Sequence, residues 1–98
     1  MLFRSIARST VKFVLANEPR IRDKIASSMS EFYNGTWGDG DNITPEKLAR
    51  RITLTEVSVY EEGDGELVYK ADDGLFTDHA ICAYLDVNGE VGEPGLEG

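Results

Sequence analysis

Histidine, cysteine and tryptophan each occur once in this 98-residue chain, and proline three times. A single cysteine, Cys82, excludes an internal disulfide, so folding does not depend on an oxidising compartment. One cysteine and one histidine, His79, cannot supply an all-side-chain Cys/His zinc site within one chain. No stretch approaches the ~20 apolar residues of a membrane span. The N-terminal segment is basic and partly apolar, but Arg8 and Lys12 interrupt its apolar run, so no secretory signal is expected and a cytoplasmic location is. There is no phosphate-cradling glycine loop, no Gly-x-Ser-x-Gly elbow and no His-Glu-x-x-His helix.

Basic residues are scarce over most of the chain. Residues 1–24 hold six of them (Arg4, Arg8, Lys12, Arg20, Arg22, Lys24) against Glu18 and Asp23, whereas residues 25–98 hold four against sixteen acidic ones. The net charge of −8 therefore divides into a basic start and a strongly acidic remainder. Such a body repels a phosphate backbone, which argues against direct nucleic-acid binding, and it attracts basic surfaces. Apolar residues at 41% and charged residues at 29% are ordinary for a globular domain. A chain of this length buries roughly 60–65% of its unfolded surface and folds as one domain.

The hydrophobic spacing predicts helices first. Phe3, Ile6, Thr10 and Phe13, with Ala7, Val11 and Val14, form an apolar stripe, and Arg4, Arg8 and Lys12 line its flank. Asn17-Glu18-Pro19 predicts either the start of a second helix or a bend in one. Ile21, Ile25, Ser28, Met29 and Phe32 continue at helical spacing, and Asn34-Gly35 is a stop signal. Residues 34–44 read as a loop rich in Gly, Asn and Asp around Trp37. Thr44-Pro45 starts a short helix over 45–51, with Leu48 and Ala49 facing inward.

From Ile52 the period changes to two. Ile52, Leu54 and Glu56 alternate with threonines, and the strand runs on through Tyr60. Residues 61–65 form a turn, and 66–71 a second strand. Residues 79–87 alternate again, with His79, Ile81, Ala83, Leu85 and Val87 on one face and Ala80, Cys82, Tyr84 and Asp86 on the other. Asn88-Gly89 signals a hairpin, followed by a short strand around Glu90-Val91 and an irregular tail. The expected fold is α+β, with N-terminal helices packed on one face of a three- or four-stranded antiparallel meander.

Catalysis is not expected. On a strand, His79 and Cys82 point to opposite faces and cannot form a nucleophile–base pair. Asp39-Gly40-Asp41-Asn42 and Asp72-Asp73 offer oxygens to a cation, but neither has the spacing of a twelve-residue calcium loop, and turn chemistry accounts for both. No metal or cofactor is expected.

Residues 72–91, with Asp72-Asp73-Gly74-Leu75-Phe76-Thr77-Asp78-His79-Ala80-Ile81 followed by Asp86-Val87-Asn88-Gly89-Glu90-Val91, resemble a family of small bacterial domains of unknown function. That family's pattern runs DGxLFxxHxI and then DG. The stretch from Ile43 to Val57 looks like the same family's passage from helix to strand. The resemblance spans residues 25–98 and leaves the basic segment 1–16 outside a 17–98 core. It implies an α+β fold, a bacterial or phage origin, no assigned catalytic residue and, by its setting, an immunity-protein-like role. Acidity and the absent catalytic motifs point the same way, to a non-catalytic protein that neutralises or regulates a basic protein partner such as a toxin. The expected partner-binding residues are Trp37, Asp39, Asp41, Glu61, Glu62, Asp64, Asp72, Asp73, Asp78 and His79. A single Trp in a small domain is more often a core residue, and Trp37 reads first as that and second as an interface anchor. The alternatives are a self-associating module such as a homodimer, a phage-encoded acidic inhibitor or nucleic-acid mimic, and a small hydrolase using His79.

Overall fold

A computed structural model of the chain describes residues 2–36, 42–72, 75–76 and 79–97, with the side chains of 2–7 and 36 outside the description. Two helices precede four strands: α1 (Leu2–Thr36), α2 (Pro45–Arg51), β1 (Ile52–Val59), β2 (Gly65–Ala71), β3 (Ala80–Leu85) and β4 (Gly95–Glu97). The strands form one antiparallel sheet in the order β1-β2-β3-β4. The helices cover one face of it, as the sequence predicts.

Helix α1 is a single continuous helix of 35 residues with Pro19 in its interior. A proline there removes one backbone hydrogen bond and costs about 3 kcal/mol. The apolar stripe explains why the helix nonetheless continues. Val14 lies two turns before Ile21, and Ile25, Ala26 and Met29 follow in phase, all at most 2% exposed. Interrupting the helix at Pro19 would carry one half of this stripe off the sheet. The side chains of Phe3, Arg4, Ile6 and Ala7 lie outside the described residues, and Val11 is exposed. Phe32, expected inward, is 42% exposed. Its neighbour Tyr33 takes the inward position and meets the buried Phe76 edge-on, with centroids 5.7 Å apart.

The passage into the sheet is closed by side chains. Asn34 both donates to the Ile43 carbonyl (3.1 Å) and accepts from the Ile43 N–H (2.8 Å). Thr44 caps α2 by accepting from Lys47 N–H at 3.2 Å, Pro45 follows it, and Leu48 and Ala49 are buried. Glu46 in the first turn and Arg50 and Arg51 in the last suit the helix dipole.

Three local features depart from the sequence pattern. First, β1 carries a bulge between Leu54, opposite Tyr69, and Glu56, opposite Val68. The extra residue, Thr55, bonds the Val68 carbonyl with its hydroxyl. The alternation of Ile52 and Leu54 therefore passes to Val57, and Glu56 turns outward. Second, β3 ends at Leu85, which leaves Val87 exposed in the turn instead of on the buried face. Third, the last strand lies in the tail. Val91 makes only an isolated bridge to Leu85, Pro94 has no N–H for the ladder, and pairing resumes at Gly95–Glu97 against Ala80–Cys82.

The turn at 86–90 is built by Asp86, whose Oδ1 accepts from the N–H groups of Asn88 and Glu90. Gly89 has φ +82°, and a Cβ there would stand 2.6 Å from the Phe13 ring. Gly35, in contrast, has open space around it. Gly89→Ala is expected to destabilise the domain by about 1–3 kcal/mol, and Gly35→Ala to stabilise it by up to about 1 kcal/mol. Denaturant unfolding of both variants checks the pair, and equal effects would contradict the packing of α1 on this turn.

Candidate functional site

The strand registers sort the side chains into two layers. Leu67, Tyr69, Ile81, Ala83 and Leu85 face the helices and are at most 3% exposed. The opposite face has no covering element among the described residues. Its rows follow from the pairing: Ser58 opposite Glu66 opposite Tyr84, then Glu56 opposite Val68 opposite Cys82. Thr53 opposite Lys70, and Ala80 opposite Glu97, extend it. Three carboxylates thus share this face with Lys70, and Tyr84 stands 48% exposed at its edge.

The electrostatics agree with the registers. Partial burial, the carboxylate of Glu97 and the charges of Glu66 and Glu56 together push the Cys82 thiol up to about 12. A thiol so held stays protonated near neutrality and is a poor nucleophile. The Tyr84 hydroxyl donates to Asp64 Oδ2 at 2.6 Å. That bond, some desolvation and the charges of Asp64, Asp86 and Glu62 push Tyr84 up to about 12. Among the described residues, no group of three or more His, Cys, Asp or Glu side chains is placed to hold a metal ion.

The residues expected to bind a partner are distributed differently from the sequence reading. Trp37, Asp39, Asp41, Asp73 and Asp78 lie outside the described residues. Glu61, Glu62 and Asp64 occupy the β1–β2 turn, closed by Tyr60 N–H to the Asp64 carbonyl at 2.8 Å. Asp72 lies past the far end of β2, about 25 Å from Asp64 at ~3.3 Å per residue. There its carboxylate accepts from Arg51 Nε at 2.9 Å and its own N–H bonds the Arg51 carbonyl, so it staples β2 to the end of α2. His79, immediately before β3, is half-buried, with its N–H on the Phe76 carbonyl. The structure therefore joins Glu61, Glu62 and Asp64 to the open face through Tyr84 and separates Asp72 and His79 from them.

Sequence reasoning did not pick out Glu56, Glu66, Glu97, Val68 or Tyr84. The outward alternation of Glu66, Val68 and Lys70 is legible in β2. The bulge that turns Glu56 to the same side, and the pairing that adds Glu97, have no local signal.

One further polar group is buried on the helix side. Tyr69, fully buried, donates to Glu18 Oε2 at 2.9 Å, and Arg22 grips both oxygens of the same carboxylate. Burial alone would raise Glu18, but the hydrogen bonds from Arg22 and Tyr69 outweigh it and hold the carboxyl below its ordinary 4.5. Burial and the Glu18 carboxylate keep Tyr69 a neutral phenol. This triad ties α1 to β2, with the Tyr69 ring fully buried and Glu18 and Arg22 partly exposed at its outer side.

Two outcomes follow. A carboxylate lowered by folding stabilises the fold above its unfolded value, and loses that contribution as pH falls through the folded one. Glu18→Gln should therefore cost about 1–3 kcal/mol near pH 7, and the gap to the wild type should narrow below pH ~4.5. Denaturant melts at several pH values measure it, and a gap that persists unchanged in acid would contradict the assignment. Separately, the Cys82 thiol should react with a disulfide reagent far more slowly in the native than in the unfolded chain at neutral pH. A native rate matching the unfolded one would overturn its placement among carboxylates.

The sequence model of a family described as an uncharacterized protein conserved in bacteria matches residues 3–96. The match includes the basic N-terminal segment that the motif resemblance left out. Neither a curated protein nor a solved structure matches the chain.

Proposed function

Because the chain belongs to this bacterial family of uncharacterized proteins (DUF2262), we propose its role from its surface: it is a non-catalytic binding protein that docks a basic protein partner on the open face of its sheet. The observation that carries this reading is the uncovered face itself, with Glu56, Glu66 and Glu97 around Val68 and the exposed Tyr84. A half-exposed tyrosine amid carboxylates suits an interface with lysine- or arginine-rich protein, where aromatic anchors supply contact area and charge supplies steering. Glu61, Glu62 and Asp64 extend the same surface at the β1–β2 turn.

In a bacterial cell the fitting form of this activity is neutralising or inhibiting a basic protein such as a toxin. The same charge disfavours self-association through this face, since two copies would oppose like carboxylates. Trp37, Asp39, Asp41, Asp73 and Asp78 remain candidates for a second patch.

The test begins with a partner captured from a bacterial extract, followed by kinetics with the purified pair. Glu56→Gln/Glu66→Gln/Glu97→Gln should slow association about tenfold and flatten its salt dependence. Tyr84→Ala should mainly speed dissociation. An acidic partner, or a basic one indifferent to both salt and the triple substitution, would refute the reading.

A further inference from the structure

The four basic residues of 25–98 are not scattered. Three of them, Lys47, Arg50 and Arg51, line one groove of about 410 Å³ between the end of α1, α2 and the link from β2 to β3. Tyr33, Ile43, Leu75 and Asn42 complete its lining. The groove thus combines three cations with apolar and aromatic side chains. That volume lies within the ~300–1,000 Å³ typical of small-ligand pockets.

The groove is held open by fixed elements. Tyr33 is braced edge-on against Phe76, and Ile43 is clamped by the paired hydrogen bonds from Asn34. Arg51 is anchored on Asp72. Lys47 and Arg50 are exposed, and among the described residues neither forms an ion pair. In a chain of net charge −8 with sixteen carboxylates in this stretch, three cations sharing one groove with an aromatic ring stand out, and Arg50 also borders Glu46 and Asp23 in a neighbouring groove. The Asp72 carboxylate is already engaged by Arg51.

We propose that this groove binds a small phosphate ester with a flat apolar group, of the nucleotide class. Lys47 and Arg50 meet the phosphates, as point charge and planar fork respectively. Tyr33 and Leu75 contact the base, and Asn42 hydrogen-bonds its edge. The site is independent of the acidic face and of any protein partner there.

Titration of the isotope-labelled full chain with ATP, followed by amide NMR, tests it, with inorganic tripolyphosphate, adenosine and a short polyglutamate peptide as parallel probes. ATP should saturably shift the amides of Asn42, Ile43, Lys47, Arg50 and Leu75. Tripolyphosphate should act on the same residues more weakly, and adenosine more weakly still. Lys47→Gln/Arg50→Gln should weaken ATP binding about tenfold or more, with an unchanged circular dichroism spectrum and Tm. The charge-preserving pair Lys47→Arg/Arg50→Lys should retain it. Shifts centred on Arg8 and Lys12, no saturable shift with ATP, or equal binding by the double glutamine variant would overturn the site. Tripolyphosphate binding as tightly as ATP would overturn the aromatic half of the assignment, and tighter binding of polyglutamate would replace the nucleotide by an acidic protein segment.

Discussion

One long helix has to close the inner face of a four-stranded sheet, and the rest of the molecule depends on its staying in phase across Pro19. Val14, Ile21, Ile25 and Met29 sit on the same stripe on both sides of the proline. Burying side chains of this kind is worth about 1.5–3 kcal/mol each, which together exceeds the ~3 kcal/mol cost of an interior proline. The Glu18–Tyr69–Arg22 triad then fixes the rotation of α1 against β2, because a buried tyrosine hydroxyl and a half-buried carboxylate are each satisfied only in that alignment.

With the helices spent on one face, no element among the described residues covers the other. A sheet face left to solvent has to carry polar side chains, and in this acidic chain three of those are carboxylates. The open face is therefore a consequence of the layer count as much as of composition. Its charge also blunts the sheet: facing glutamates and the bulge in β1 both discourage a second chain from pairing there.

The charge separation seen along the chain is folded back on itself. The Thr10 hydroxyl donates to the Gly63 carbonyl at 3.1 Å, and Phe13 lies under Gly89. These contacts bring the N-terminal half of α1, with exposed Arg8 and Lys12, to the end of the sheet that carries Glu61 and Glu62. The basic segment is thus part of the packed domain, in keeping with a family match that begins at residue 3. At the opposite end, α2 gathers the scarce later cations into a groove of their own.

Local chemistry alone determined much of this. The Thr44-Pro45 cap, the buried Leu48 and Ala49, the three main strands, the Asn88-Gly89 turn and the α+β layering follow from side-chain period and turn residues, which act over a few positions. So does the exclusion of a disulfide or an all-Cys/His zinc centre. Tertiary structure decided what depends on partners distant in the chain. The continuation of α1 through Pro19 required the sheet beneath it, and Tyr33 replaced Phe32 because Phe76 was there to receive it. The outward turn of Glu56 and the pairing of Glu97 came from registers set across strands. Asp72 became a staple for Arg51, not part of an acidic patch with Glu61 and Glu62, because β2 holds the two turns at opposite ends of the sheet. Periodicity can say which residues share a strand face, but only pairing and packing say which faces meet.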